Sequence, residues 1–208
     1  MDNKQEHLNN LSEIRSLMER SSSFISLSGL SGICAGIIGI VTAVILHSKL
    51  GPFIELGKGE VLTSEKRDEL ILFSILASLI ALVLTFALTI FFTSRKAKKK
   101  GLPVWDGSAK RLVVNLFIPL ISGGIFCLLL VYHGFDWLVL PSMLVFYGLA
   151  LISASKYTLN ELRWLGASEL VLGLLAAFFL PQAIIFWGLG FGVMNIVYGA
   201  MMYFKHER

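Results

Sequence analysis

Residues 70–92 read LILFSILASLIALVLTFALTIFF, 23 positions from Leu70 to Phe92 without a charge, a proline or a glycine. Crossing about 30 Å of hydrocarbon takes about 20 mostly apolar residues in a helix that rises about 1.5 Å per residue. The stretch is therefore expected to be a membrane span. A helix suits hydrocarbon because it satisfies its peptide groups within itself. Rich in Leu, Ile and Phe and free of glycine and proline, this one reads as a helix that faces lipid.

The same test applied outward finds five further segments, 24–46, 112–132, 137–155, 164–180 and 183–204. The chain is 55% hydrophobic and only 15% charged, with a mean hydropathy of +0.75, too apolar for an ordinary soluble domain. The expected fold is all-α: a polytopic membrane bundle of six transmembrane helices over 24–208, preceded by a short amphipathic helix within 1–23. The first span follows a polar stretch and is too long for the apolar core of a signal peptide. It is expected to be retained as a true span.

Basic residues orient the bundle. If the N-terminus is inside, fourteen of the 18 Lys and Arg fall on inner segments, and only Lys49, Lys58, Lys66 and Arg67 lie outside. The positive-inside rule then places both termini in the cytoplasm of a multi-pass protein of the inner (plasma) membrane. The densest inner cluster, Lys96, Lys98, Lys99 and Lys100 with Trp105 beyond it, is expected to contact anionic lipid head groups, at about 1 kcal/mol per basic residue near the surface. It serves equally as a plain topology signal, and no soluble domain exists to make it a nucleic-acid site.

In the N-terminal segment Leu8, Leu11, Ile14 and Met18 recur at helical spacing, which suits a helix lying on the inner membrane surface, or one that docks a partner. Gly29, Gly32, Gly36 and Gly39 recur at three- and four-residue steps in the first span, a stripe small enough for helix backbones to approach closely. The first outer loop, 47–69, carries a turn signal at Gly51-Pro52 and another at Gly57, and Ser64 with Glu65 starts the next helix. Cys34 and Cys127 both fall within spans and read as small packing residues.

The last four spans form two hairpins, turning at His133–Asp136 and at Pro181-Gln182. Tyr147-Gly148 and Tyr198-Gly199 take similar places in them, and Gly123-Gly124 upstream matches Gly173, which suggests a hairpin duplication. The stretches ERSSSFISLSGLSG (19–32) and KKKGLPVWDGSAKRL (98–112), with the closing hairpin, resemble a family of uncharacterised six-span bacterial integral membrane proteins. That resemblance covers most of the chain and implies no activity. The pattern around Gly173, Pro181 and Gly199 is also similar to the six-span acid-resistance membrane proteins, from which this chain departs by its long first outer loop and its amphipathic N-terminal segment.

One acid breaks the apolar pattern. Glu169, in GASELVLGLL (166–175), is the only Asp, Glu, Lys or Arg within the six spans. A carboxylate there is expected to face protein or water, not lipid. Folding the hairpin at Pro181-Gln182 brings it opposite residues 194–198, so it is expected to bond Asn195, Tyr198 or both, with Gly173 and Ala177 forming a close-packed seam beside it. Counted from Trp164, its depth is about 8 Å below the inner boundary.

Two functions follow from two readings of that cluster. In the first, Glu169, Asn195 and Tyr198 form a polar clasp that fixes helix register in a non-enzymatic scaffold or regulatory membrane protein, bound to a membrane partner or to further copies of itself. In the second, Glu169 couples a proton or a cation in a small oligomeric transporter or channel. A shallow depth and the lack of a second ionisable group favour the clasp. Enzyme chemistry is not expected. The four histidines lie outside the spans or at their ends, and no phosphate loop, nucleophile elbow or carboxylate pair occurs. The sequence therefore points to no catalytic residue, cofactor or metal.

Overall fold

The structure is a computed structural model that describes residues 28–56, 64–99, 107–158 and 160–206. The expected amphipathic helix in 1–23, the start of the first span, the turn at Gly57, Lys100 and Trp105 lie outside the described residues.

Helix α1 is Gly29–Leu56, α2 Ser64–Lys99 and α3 Gly107–Tyr132. A turn with Gly134 at φ +80° and a 3₁₀ turn, Asp136–Leu138, lead into α4, Val139–Ala154. A second 3₁₀ turn, Ser155–Tyr157, precedes α5, Glu161–Phe178. The closing rod comprises a 3₁₀ turn Leu180–Gln182, α6 Ala183–Gly188, a π-helical segment Leu189–Met194 and α7 Asn195–His206. No strand occurs among the described residues. Five stretches are long and apolar enough to cross a membrane: Gly29–Gly51, Ser64–Lys99, Ala109–Tyr132, Asp136–Tyr157 and Leu180–Lys205. Helix α5 falls short of that description because its 18 residues include Glu161, Arg163 and Glu169.

The structure differs from expectation at Gly51-Pro52, where α1 runs on to Leu56 instead of turning. Proline fixes φ near −65°, which is itself helical, so it removes one hydrogen bond without ending the rod. Helix α2 spans 36 residues, about 54 Å at about 1.5 Å per residue. Its apolar middle is therefore flanked by polar turns that carry Lys66 and Arg67 at one end and Lys96, Lys98 and Lys99 at the other.

Helices α1, α4, α5 and the closing rod make the core, while α2 packs chiefly on α1 and α3 on α4. The glycine stripe of α1 lies antiparallel against the closing rod. A methyl added at Gly29 would stand 2.6 Å from the Gly199 carbonyl oxygen, one at Gly36 would stand 2.5 Å from the Gly192 carbonyl oxygen, and one at Gly39 would strike Phe191. Gly29, Gly32, Gly36, Gly39, Ala43 and Leu46 alternate three- and four-residue steps along this face, the stagger that keeps two helices in register along a seam. A second seam joins α4 and α5, also antiparallel: a methyl at Gly148 would meet Leu170 N at 2.7 Å, and one at Gly173 would meet Val145 N at 2.8 Å.

Gly173 thus lies in the seam with α4, and Ala177 is exposed where Ala176 is fully buried. Two four-residue steps from Glu169 drift about 80° around a helix, whereas a four and a three drift about 20°. The seam therefore follows 169, 173, 176.

Candidate functional site

Glu169 is the ninth residue of the 18 in α5 and is 0% exposed. The depth counted from Trp164 placed it near the boundary, but the helix starts three residues earlier and ends two before residue 180. Glu169 consequently stands at mid-helix.

Three helical elements converge on it. Asn195, at the junction of the π segment and α7 and itself buried, donates from Nδ2 to Glu169 Oε1 at 3.5 Å. The same nitrogen lies 3.3 Å from the carbonyl oxygens of Gly190 and of Phe191. From α4, the Tyr147 hydroxyl donates to Asn195 Oδ1 at 3.2 Å. Its ring stacks on Phe191 with centroids 4.8 Å apart.

The local sequence lets the rod widen here. Gly188, Gly190 and Gly192 fall in and beside Leu189–Met194, and each costs a helix about 1 kcal/mol relative to alanine. An i→i+5 turn misaligns backbone carbonyls, and the Asn195 amide turns back to meet two of them. Gly190 also makes room for the acid, since a methyl there would strike Glu169 Oε2 and lie 2.5 Å from Leu144 Cδ2. The oxygen Oε2 is buried and has no hydrogen-bond partner.

Counting donors against acceptors exposes an imbalance. One amide NH₂ carries two hydrogens, yet three oxygens crowd Asn195 Nδ2 and a fourth, Oε2, has none. Among the described residues no Lys, Arg or His pairs with Glu169. The centre is rich in oxygen, poor in donors and, when ionised, anionic.

Apolar layers close it on both sides. Leu151, Ala154, Leu162, Leu165, Tyr198 and Met202 pack toward one end of the bundle, and Ala43, Leu144, Ala176, Ala183 and Trp187 toward the other. Tyr198 belongs to the first of these layers. No Glu169–Tyr198 hydrogen bond occurs among the described residues, so of the two partners expected from the hairpin only Asn195 reaches the acid.

Tyr147 is the residue that sequence reasoning missed. Its signal lay in the paired Tyr-Gly echo, Tyr147-Gly148 and Tyr198-Gly199, which marked two equivalent tyrosines without saying which faced the acid. Ion pairs join helix ends, among them Arg67 with Asp136 at 2.5 Å, from α2 to the turn before α4, and Lys205 with Glu161, from α7 to α5. Among the described residues no group of three His, Cys, Asp or Glu is placed to hold a metal. Lys98 and Lys99 are exposed and Lys96 half-buried at the end of α2.

No family model, no curated protein and no solved structure matches this chain.

Proposed function

We propose that this is a six-span integral protein of a bacterial inner membrane, with both termini in the cytoplasm and no enzyme activity. In this reading it acts as a scaffold or regulatory protein whose bundle is locked by the Tyr147–Asn195–Glu169 clasp. The sixth crossing is α5. Its 18 residues span about 27 Å, and Glu161 and Arg163 sit in its first turn, where head groups accept them. It runs antiparallel to both neighbours, with Gly166 against Gly148 on α4 and Glu161 and Glu169 against Lys205 and Asn195 on the rod. If α4 and the rod cross the membrane, the helix joining them crosses too. The cytoplasmic assignment of the termini rests on the fourteen inner basic residues, and Lys96, Lys98 and Lys99 would meet anionic head groups on that face.

One observation carries the clasp: a single buried amide, Asn195, ties α4, α5 and the π segment together while the acid it holds has no exposed surface. Polar bonds between helices in lipid are worth about 0.6 kcal/mol on average and up to about 1.7, enough to choose one register over another. The test is reconstitution into vesicles with an imposed proton or sodium gradient, beside photo-cross-linking from the cytoplasmic end of α2 in cells. A scaffold yields a cross-linked partner, or a second copy of the chain, and no flux. Flux that Glu169→Gln abolishes in a folded protein would reject it.

The unpartnered Oε2 at mid-helix favours a second reading, an oligomeric transporter or channel that couples a proton or cation at Glu169. Coupling sites lie near the bilayer midplane and use irregular helical backbone, as found beside Gly190 and Phe191.

A further inference from the structure

The surplus of oxygen around Asn195 has a specific chemical remedy. We propose that Glu169, the carbonyls of Gly190 and Phe191, and Asn195 form a binding site for one monovalent metal cation of about sodium's size.

Charge sets the valence. Glu169 is the only carboxylate in the centre, it is 0% exposed, and no basic side chain pairs with it among the described residues. An ionised carboxylate without compensation in such surroundings costs several kcal/mol. One positive charge neutralises it, and a divalent ion would carry an excess.

Geometry sets the size. Rotating the Asn195 amide by half a turn puts Oδ1 where Nδ2 now stands, 3.3 Å from two carbonyl oxygens and 3.5 Å from Glu169 Oε1. The Tyr147 contact survives, because a hydroxyl that donates to Oδ1 can instead accept from Nδ2. Oxygens on an octahedral edge around an ion with bonds of about 2.4 Å, the calcium range that sodium's similar radius shares, are about 3.4 Å apart. With the amide so turned, Oδ1 stands 3.3 to 3.5 Å from each of the other three oxygens with no donor on it, a repulsive set that a cation relieves. The π segment supplies its two carbonyls because its i→i+5 turn leaves them turned toward the side chain, and Gly190 leaves the room that Oε2 occupies.

This site keeps the residues of the clasp but replaces the Asn195–Glu169 bond with bonds of both side chains to the ion. It depends on neither the scaffold nor the transport reading, so its failure would leave the flux and cross-linking tests standing. The full-length protein in detergent is melted in sodium, potassium and choline chloride at equal ionic strength. Saturating sodium is expected to raise the melting temperature by about 5 °C over choline. Glu169→Gln should lose that rise, whereas Glu161→Gln, at the ion pair with Lys205 and outside the site, should keep it. Radiolabelled sodium should bind the wild-type protein saturably at one ion per chain, a readout that stands even if Glu169→Gln fails to fold. Equal melting in sodium and choline, a sodium effect that survives in Glu169→Gln, or the absence of saturable binding would overturn the proposal. A stability that follows pH alone would also overturn it, with a proton taking the cation's place.

Discussion

Helices α1 and α2 both hold a long apolar stretch, and that of α2 is the more apolar, yet α1 is woven into the core while the apolar stretch of α2 has no buried residue. Leu72, Leu76, Leu79, Ile80 and Val83 of α2 are each about half exposed. In water such a face would be an aggregation hazard; in hydrocarbon it is simply solvated. The difference lies in side-chain size. Lipid tails are as apolar as leucine, so greasiness gives a helix no reason to leave them, and association must come from close packing and polar bonds. Helix α1 offers a glycine at each turn of one face and meets the glycines of the closing rod backbone to backbone. Helix α2 has none to offer.

Gly36→Leu tests that contrast most severely. It should cost more than about 3 kcal/mol, because the side chain would drive into the Gly192 carbonyl and Ile196 at the rigid centre of the seam. Loss of monodisperse protein on size-exclusion chromatography would show it, and a normally folded Gly36→Leu would refute the seam. Next comes Glu169→Leu, which removes the bond to Asn195 but leaves that amide the Gly190 and Phe191 carbonyls, and should lower stability by about 1 kcal/mol in detergent unfolding. A double-mutant cycle with Tyr147→Phe and Asn195→Ala sharpens the picture. The pair should couple by about 0.6 kcal/mol, and additive effects would show that Tyr147 is no part of the clasp. On α2, Leu79→Ala should change stability by less than about 0.5 kcal/mol; a larger loss would reveal a protein neighbour where lipid is expected. Arg67→Ala should have the smallest effect, seen as a slight fall in melting temperature that vanishes at high salt.

Much of this architecture was legible beforehand. The turns at 133–136 and 181–182 fall where glycine and proline punctuate the apolar runs, and counting back from Pro181 put Asn195 opposite Glu169. Three features were not legible. The rod passes through Gly51-Pro52 because a turn signal states a preference that a long helix can override. The π segment at Leu189–Met194 leaves no mark in hydropathy, since its widening depends on what packs behind it, here Gly36, Gly39 and Ile40 of α1. Tyr147 lies 48 residues from Asn195, beyond the reach of any hairpin count.

Where the helical rods lie along this chain was determined by the sequence alone. A bilayer's thickness and the need to satisfy each peptide group are met within one continuous stretch of residues, so local composition suffices to place them. Which rods touch was decided only in three dimensions. A glycine stripe signals that some backbone will come close, but its partner is whichever surface is equally bare and correctly staggered, and that is a property of pairs. The meaning of Glu169 belongs to the same level, because its burial, its unpartnered oxygen and its bond to an amide shared with two carbonyls arise only when segments far apart in the chain close around it.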